Sequence, residues 1–360
     1  MIRYAIPMVP GPVSVPETVL NAYAQNYGSA DLEPEFLSLY NHTETQLKKL
    51  LGTQNQVVIK TGEGMVALWG ALKSCLQPGD RVLAVASGVF GYGIGEMAKK
   101  LGAQVKTVGF AYNETYHDWK MIEETISEFQ PKMITAVHCE TPSGTLNPLE
   151  KLGEIKKRQE VPLLYVDVVA SVGGTPVLSD EWQIDLALGG SQKVLSAPPE
   201  MSFLSVSPKA WEIIESVGYI GYDALLPFRS AQKEHYFPYT PSWHGVAALN
   251  AAADLILTEG LEATFDRHAR TAAFTQERIQ AMGLELFAVK DAIKSPTVTA
   301  VKVPERFRWA DLNTRFREKG LVVGGSYGPL ADKVFRLGHM GNQARMELVQ
   351  QALEVIQQVL

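Results

Sequence analysis

Residues 164–195 read LYVDVVASVGGTPVLSDEWQIDLALGGSQKVL. An apolar run over 163–166 has the length of a buried strand and delivers Asp167 at its end. A second run, over 184–188, leads into Gly189, Gly190, Ser191, Gln192 and Lys193. In an open α/β sheet, ligands sit beyond the carboxyl ends of the strands. Each residue alone has a plain role, since strand-end aspartates cap turns and helices and loop lysines face water. At two ends of one sheet edge they share a pocket. There a lysine anchors a carbonyl cofactor and an acid pairs with a pyridine nitrogen. A buried carboxylate needs a cation, and a pyridinium N–H supplies one.

The flanking pattern supports that sheet. Short apolar runs at 57–59, 81–86, 105–110 and 133–138 alternate with helical segments at 65–76, 94–101, 121–129 and 148–159. This alternation implies βαβ crossovers and a mostly parallel sheet. A strand at 201–206 follows Lys193 too closely for a helical crossover and is expected to be antiparallel. Before the sheet come helices from Pro16 to Tyr23 and over 34–51. After it, 245–282 reads as one long or kinked helix. Strands at 285–289, 297–303, 321–324 and 334–338, with helices at 309–318 and 344–359, then suggest a compact α+β unit. The expected organisation is α/β: an N-terminal arm over 1–15, a large domain over 16–250 and a smaller C-terminal domain over 251–360. In the arm, Met8-Val9-Pro10-Gly11-Pro12 suits neither helix nor central strand, and Gly11 allows a close backbone approach.

Composition narrows the function. A net charge of −6 argues against gripping a nucleic-acid backbone. Two cysteines, Cys75 and Cys139, make neither a disulfide framework nor a zinc set, which points to a reducing, cytoplasmic setting. Prolines interrupt the N-terminal stretch where a signal peptide needs an apolar helix. No apolar run approaches the ~18 residues of a membrane span. No metal-ligand spacing is present.

Several segments can serve the Asp167–Lys193 pocket. Thr61-Gly62-Glu63-Gly64-Met65 lies between a strand and a helix, where free backbone N–H groups and the helix dipole make an anion cradle; Ser191 and Gln192 can add donors. Phe90 can stack on a flat ring, or simply pack in the core. Thr141 follows a strand end and offers a hydroxyl. Arg336, between Phe335 and Leu337, needs an anion, either a substrate carboxylate or a structural partner. Gly93-Ile94-Gly95-Glu96-Met97-Ala98 matches a dinucleotide fingerprint with Glu114 further on. Five residues, Gly88 to Tyr92, intervene before its first glycine, which therefore does not turn directly off the strand, so a NAD-dependent dehydrogenase is disfavoured. His138 reads as a satisfied strand-end histidine and Cys139 as a small apolar residue.

With these residues in place the chain resembles a fold-type I, class V pyridoxal-phosphate aminotransferase of the alanine–glyoxylate and serine–glyoxylate group. The resemblance runs almost end to end, through VPGPVSVPETVL, VDVVASVGG, GGSQKVLSAPP, YTP and GPLADKVFRLGHMG. ASGVFGYG, ETPSGTLNP, FPYTPS, SPTVTAV and RLGHMG look still more like pyridoxamine–pyruvate aminotransferase, a branch that takes free vitamin B6 as substrate. The resemblance implies pyridoxal 5'-phosphate as cofactor. It implies transfer of an amino group from alanine or serine to glyoxylate or pyruvate through a Lys193 aldimine, with Lys193 as proton carrier. Asp167 holds the pyridine nitrogen protonated, Phe90 stacks on one ring face and Val169 packs on the other. Gly64, Met65 and Gln192 bind phosphate, with Thr240 reaching in from a neighbouring subunit of a homodimer. Thr141 lies near the ring hydroxyl, and Arg336 grips the substrate carboxylate. Gly11, Glu63 and Tyr327 complete the substrate-binding candidates.

Two positions depart from the pattern. The pyridoxamine–pyruvate branch has a second arginine where this chain has Ser326-Tyr327-Gly328. Glu63 is an acid beside the phosphate cradle, where it would repel a dianion. It could favour an unphosphorylated substrate, making free pyridoxamine the donor, or turn away from the site. A cysteine desulfurase would need a mobile nucleophilic cysteine in a loop, and Cys75 and Cys139 both fall in expected regular elements.

Overall fold

The computed structural model describes residues 4–360; the first three residues of the expected arm lie outside that range. In chain order, the first elements are β1 (Ile6–Met8), α1 (Glu17–Tyr23), α2 (Pro34–Leu50), β2 (Gln56–Thr61) and α3 (Gly64–Cys75). They are followed by β3 (Arg81–Ala86), α4 (Val89–Lys100), β4 (Gln104–Gly109), α5 (Trp119–Phe129) and β5 (Met133–Val137). A small hairpin, β6 (Cys139–Glu140) and β7 (Thr145–Leu146), precedes α6 (Glu150–Arg158), β8 (Leu163–Asp167), β9 (Leu186–Gly190) and β10 (Met201–Val206). The rest comprises α7 (Pro208–Val217), α8 (Ala231–Glu234), α9 (Trp243–Glu259), α10 (Leu261–Ala281), β11 (Thr299–Lys302), α11 (Trp309–Glu318), β12 (Leu321–Gly325), β13 (Val334–Leu337) and α12 (Met346–Val359).

Seven strands form the main sheet in the order β2-β10-β9-β8-β5-β3-β4. The pairs from β9 to β4 are parallel, and β10 runs antiparallel to both β2 and β9, as its short connection required. Leu163, Leu164, Tyr165 and Val166 are all buried, which is why the stretch lacks the alternation of a half-exposed strand. A second sheet, β1-β12-β13-β11, carries its own core of Phe316, Phe335, Leu337, Val349 and Ile356. β1 joins it as an edge strand, parallel to β12, so the proline-rich arm interrupts no central ladder.

Three expectations change. The helix over 245–282 is two helices, because Gly260 adopts φ +91°, outside the helical region. Ala252, Ala253 and Ile256 pack in the main core while Ile279 packs in the second, so core membership changes within α10 and not at residue 250. The run over 285–289 forms no strand. Only Leu286 makes an isolated bridge, to Val301.

Candidate functional site

β8 ends on Asp167 and β9 on Gly190, three residues before Lys193, and the two strands pair in parallel. Both side chains therefore emerge at the same sheet edge. A cavity of about 290 Å³ opens there, lined by Gly11, Glu63, Gly64, Met65, Phe90, Cys139, Thr141, Asp167, Val169, Gln192 and Lys193 among others. Asp167 Oδ1 accepts from the Val169 backbone N–H at 2.8 Å, and burial pushes its carboxyl up to about 6. Lys193 Nζ donates to the Pro10 carbonyl at 2.6 Å. Burial, and then the Arg336 charge, lowers the Lys193 ammonium to about 8. An amine titrating there is a far better nucleophile and proton acceptor near neutrality than an exposed lysine. The buried Thr141 hydroxyl and Gln192 Oε1 have no hydrogen-bond partner among the described residues.

The Pro10 contact was illegible in the sequence because it is made by a backbone carbonyl. Gly11 permits it. It has φ +97°, and a Cβ there would lie 2.6 Å from Lys193 Nζ. Gly11→Ala is therefore expected to slow reaction of Lys193 with an aldehyde by roughly 10²-fold, the cost of a misplacement of about 1 Å. Stopped-flow absorbance measures this directly, and an unchanged rate would show that the arm does not position the lysine.

A second residue missed in the sequence is Glu140. Its buried carboxylate accepts from the Phe90 and Gly91 N–H groups at 3.1 and 2.6 Å, fixing the first turn of α4 that carries Phe90. Gly88 and Gly91 leave room for it, because a Cβ at either would press on the carboxylate.

At the start of α3, Glu63 neither turns away from the cradle nor leaves it open. Its Oε2 accepts from the Met65 N–H at 2.9 Å, capping the helix, and its Oε1 accepts from Gln192 Nε2 at 2.6 Å. The carboxylate thus takes two of the donors expected to meet a phosphate.

Arg336 and Tyr327 lie beside the cavity, outside its lining. Arg336 Nε and Nη2 both donate to the Gly325 carbonyl, at 2.8 and 2.5 Å, and its guanidinium lies 5.0 Å from the Tyr327 ring centroid. Thr240 lies apart from the cavity and donates to Asp31 Oδ2 at 2.8 Å.

The competing motifs resolve on geometry. Gly93 and Gly95 lie inside α4, so their N–H groups are spent in the helix and present no dinucleotide turn. His138 is buried against Ser171 and lowered to about 3 by burial, which keeps it neutral. Cys75 and Cys139 are buried, and burial pushes their thiols up to about 12 and about 11, the opposite of an activated nucleophile.

The family model described as Aminotransferase class-V matches residues 10–331. An uncharacterized aminotransferase of Methanocaldococcus jannaschii is 36% identical over 93% of this chain and 87% of its own length. The pyridoxamine–pyruvate transaminase of Mesorhizobium japonicum is 32% identical over 96% of this chain and 90% of its own. Among solved structures, an alanine–glyoxylate aminotransferase from Nostoc sp. superposes with a TM-score of 0.94 at 30% identity, covering 100% of this chain and 96% of that one.

Proposed function

Because the chain belongs to the class V aminotransferases and has their fold-type I architecture, we propose that it moves an amino group from alanine or serine to glyoxylate or pyruvate on a vitamin B6 ring bound beside Lys193. The observation that carries this reading is the joint presence in one cavity of a lysine lowered to about 8 and a half-buried acid raised to about 6. Asp167 would hold the ring nitrogen, whose proton would supply a close counter-charge to a carboxyl that forms no ion pair among the described residues. Phe90 and Val169 would hold the ring faces, and the unpartnered Thr141 hydroxyl its oxygen substituent. When bound, such a ring supplies an electron sink for the pair left behind when a substrate carbon loses its proton. Lys193 Nζ, a free amine above about pH 8, can take that proton from a carbon held beside it and return it to a neighbouring one. The Arg336 guanidinium, 6% exposed, would orient the substrate carboxylate. Purified protein mixed with pyridoxal 5'-phosphate should develop a visible absorbance band that alanine bleaches and glyoxylate or pyruvate restores. Loss of the amino group from no donor in a panel of small amino acids would sink the proposal.

A second reading, with free pyridoxamine as donor, is favoured by one observation. Glu63 fills the cradle with a carboxylate that already bonds Met65 and Gln192. The ring half of the site fits a B6 compound, whereas a phosphate ester would have to displace this carboxylate. Two charges about 4 Å apart near a protein surface interact by roughly 4 kcal/mol. Under this reading, wild type binds pyridoxal more tightly than its phosphate ester. Glu63→Ala is then expected to reverse the preference, improving relative affinity for the ester by on the order of 10³-fold. Equilibrium dialysis of both compounds decides it. A wild type that prefers the ester returns the donor to a small amino acid and leaves Glu63 as a helix cap that swings aside.

The same resemblance supports a cytoplasmic homodimer with Thr240 serving the partner's site. Ile220, Tyr222 and Tyr236, which are 92%, 81% and 72% exposed, are apolar surface that a second copy could cover. No helix among the described residues is long and apolar enough to cross a membrane.

A further inference from the structure

We propose that Tyr327 is the specificity-determining residue of this site, confining the 2-oxo acid to a monocarboxylate with a compact side chain; this rests on the transaminase reading above. Tyr327 sits in the loop between β12 and β13 and spans two functional groups. Its ring centroid is 5.0 Å from the Arg336 guanidinium, and its edge meets Phe90 with centroids 6.0 Å apart at 76°. A substrate held by its carboxylate at Arg336 and by its reacting carbon at Lys193 must therefore pass beside this ring. The loop is tied across the cleft, because Ser326 Oγ donates to the Pro142 carbonyl at 3.2 Å, next to Thr141 in the cavity wall.

Charge points the same way. One edge of the Arg336 guanidinium, Nε with one Nη2 hydrogen, is committed to the Gly325 carbonyl and one face is covered by Tyr327, so among the described residues the Nη1–Nη2 edge is left to take one carboxylate. Among the described residues Lys193 is the sole cation in the cavity lining, where Glu63 is an opposing acid. A second carboxylate on the acceptor would face an aromatic ring and an acid with no cation to receive it. A branched side chain would meet the tyrosine ring, and a pocket wall of this kind discriminates by roughly 10- to 200-fold per methylene.

The test is a panel of glyoxylate, pyruvate, 2-oxobutyrate, 2-oxoisovalerate and 2-oxoglutarate with wild type, Tyr327→Phe and Tyr327→Ala. Wild type should favour the first two, Tyr327→Phe should keep that order because size and not the hydroxyl decides it, and Tyr327→Ala should raise 2-oxoisovalerate relative to pyruvate by at least about 10-fold in kcat/KM. Binding of pyruvate and 2-oxoisovalerate to Lys193→Ala with and without Tyr327→Ala, followed by calorimetry, gives the same ratio without turnover. Unchanged ratios in Tyr327→Ala, with pyruvate still accepted, overturn the role of the tyrosine and leave the transaminase reading intact. A wild type that passes an amino group to no acid in the panel overturns that reading, and the tyrosine's role with it.

Discussion

Lys193→Ala is expected to lower amino transfer by a factor on the order of 10⁴ or more. On the proposed reading the lysine would serve in two ways that fail together: its amine would join the carbonyl cofactor and would also carry the proton. Proton transfer alone accounts for roughly 10²–10⁴. The pocket surrounding it is built to favour the free amine. Burial and the Arg336 charge lower the ammonium to about 8, and among the described residues its one hydrogen bond is to the Pro10 carbonyl. Wild type should therefore react with pyridoxal at a rate that climbs through pH 8 and levels above it, and the variant should show no such climb. The check is single-turnover absorbance over a pH series. A variant within tenfold of wild type would mean that the proton travels through another group.

Asp167→Asn is expected to act on activity and stability in opposite directions. It keeps the shape of the side chain and its acceptor for the Val169 N–H but removes the charge that would pair with a ring nitrogen. Loss of one preorganised electrostatic partner costs roughly 10²–10³ in rate. In the protein without a B6 compound, the same charge is a burden. Its carboxyl is raised from 3.8 to about 6, chiefly by burial, so between about pH 4 and 6 the folded chain holds a proton that the unfolded chain has released. Stability contributed by this group therefore falls as pH rises through that window and stays low above it. Asp167→Asn should raise the unfolding temperature at pH 7 and leave it nearly unchanged at pH 4. A scan at the two pH values, paired with kcat, checks both halves. A variant that loses activity and stability together at pH 7 would mean that Asp167 is chiefly a structural acid.

What was legible in the sequence follows from what each feature depends on. Asp167 and Lys193 could be placed because a run of apolar residues fixes where a buried strand ends, and the strand end fixes the sheet edge. The antiparallel β10 followed from connection length alone. Glu63 was visible as an anomaly, yet its position depends on a rotamer and on Gln192, a partner distant in sequence that only the fold brings within 2.6 Å. Glu140 was hidden for a similar reason: its role is to accept from backbone N–H groups of a helix that begins fifty residues earlier. The strand expected at 285–289 shrinks to a single bridge, because two hydrogen bonds, Phe287 N–H to Ala300 and Lys302 N–H to Glu285, tie it to β11 before Val289 turns to donate to Asn113 instead.

The edge strand β1 bears on how the enzyme is made. Residues 6–8 complete a sheet whose other strands lie between residues 299 and 337, and Met8 also receives the Gly338 N–H. The carbonyl that holds Lys193 comes two residues after Met8. Residues 6–8 therefore wait for residues 321–338, made much later, before either is in place. The main sheet, whose strands are all synthesised by residue 206, can form well before the lysine acquires its Pro10 neighbour. Docking of Lys193 on Pro10 is thus a late event in the biogenesis of this chain, set by the meeting of residues 6–10 with residues 321–338 and not by completion of the sheet that bears the lysine.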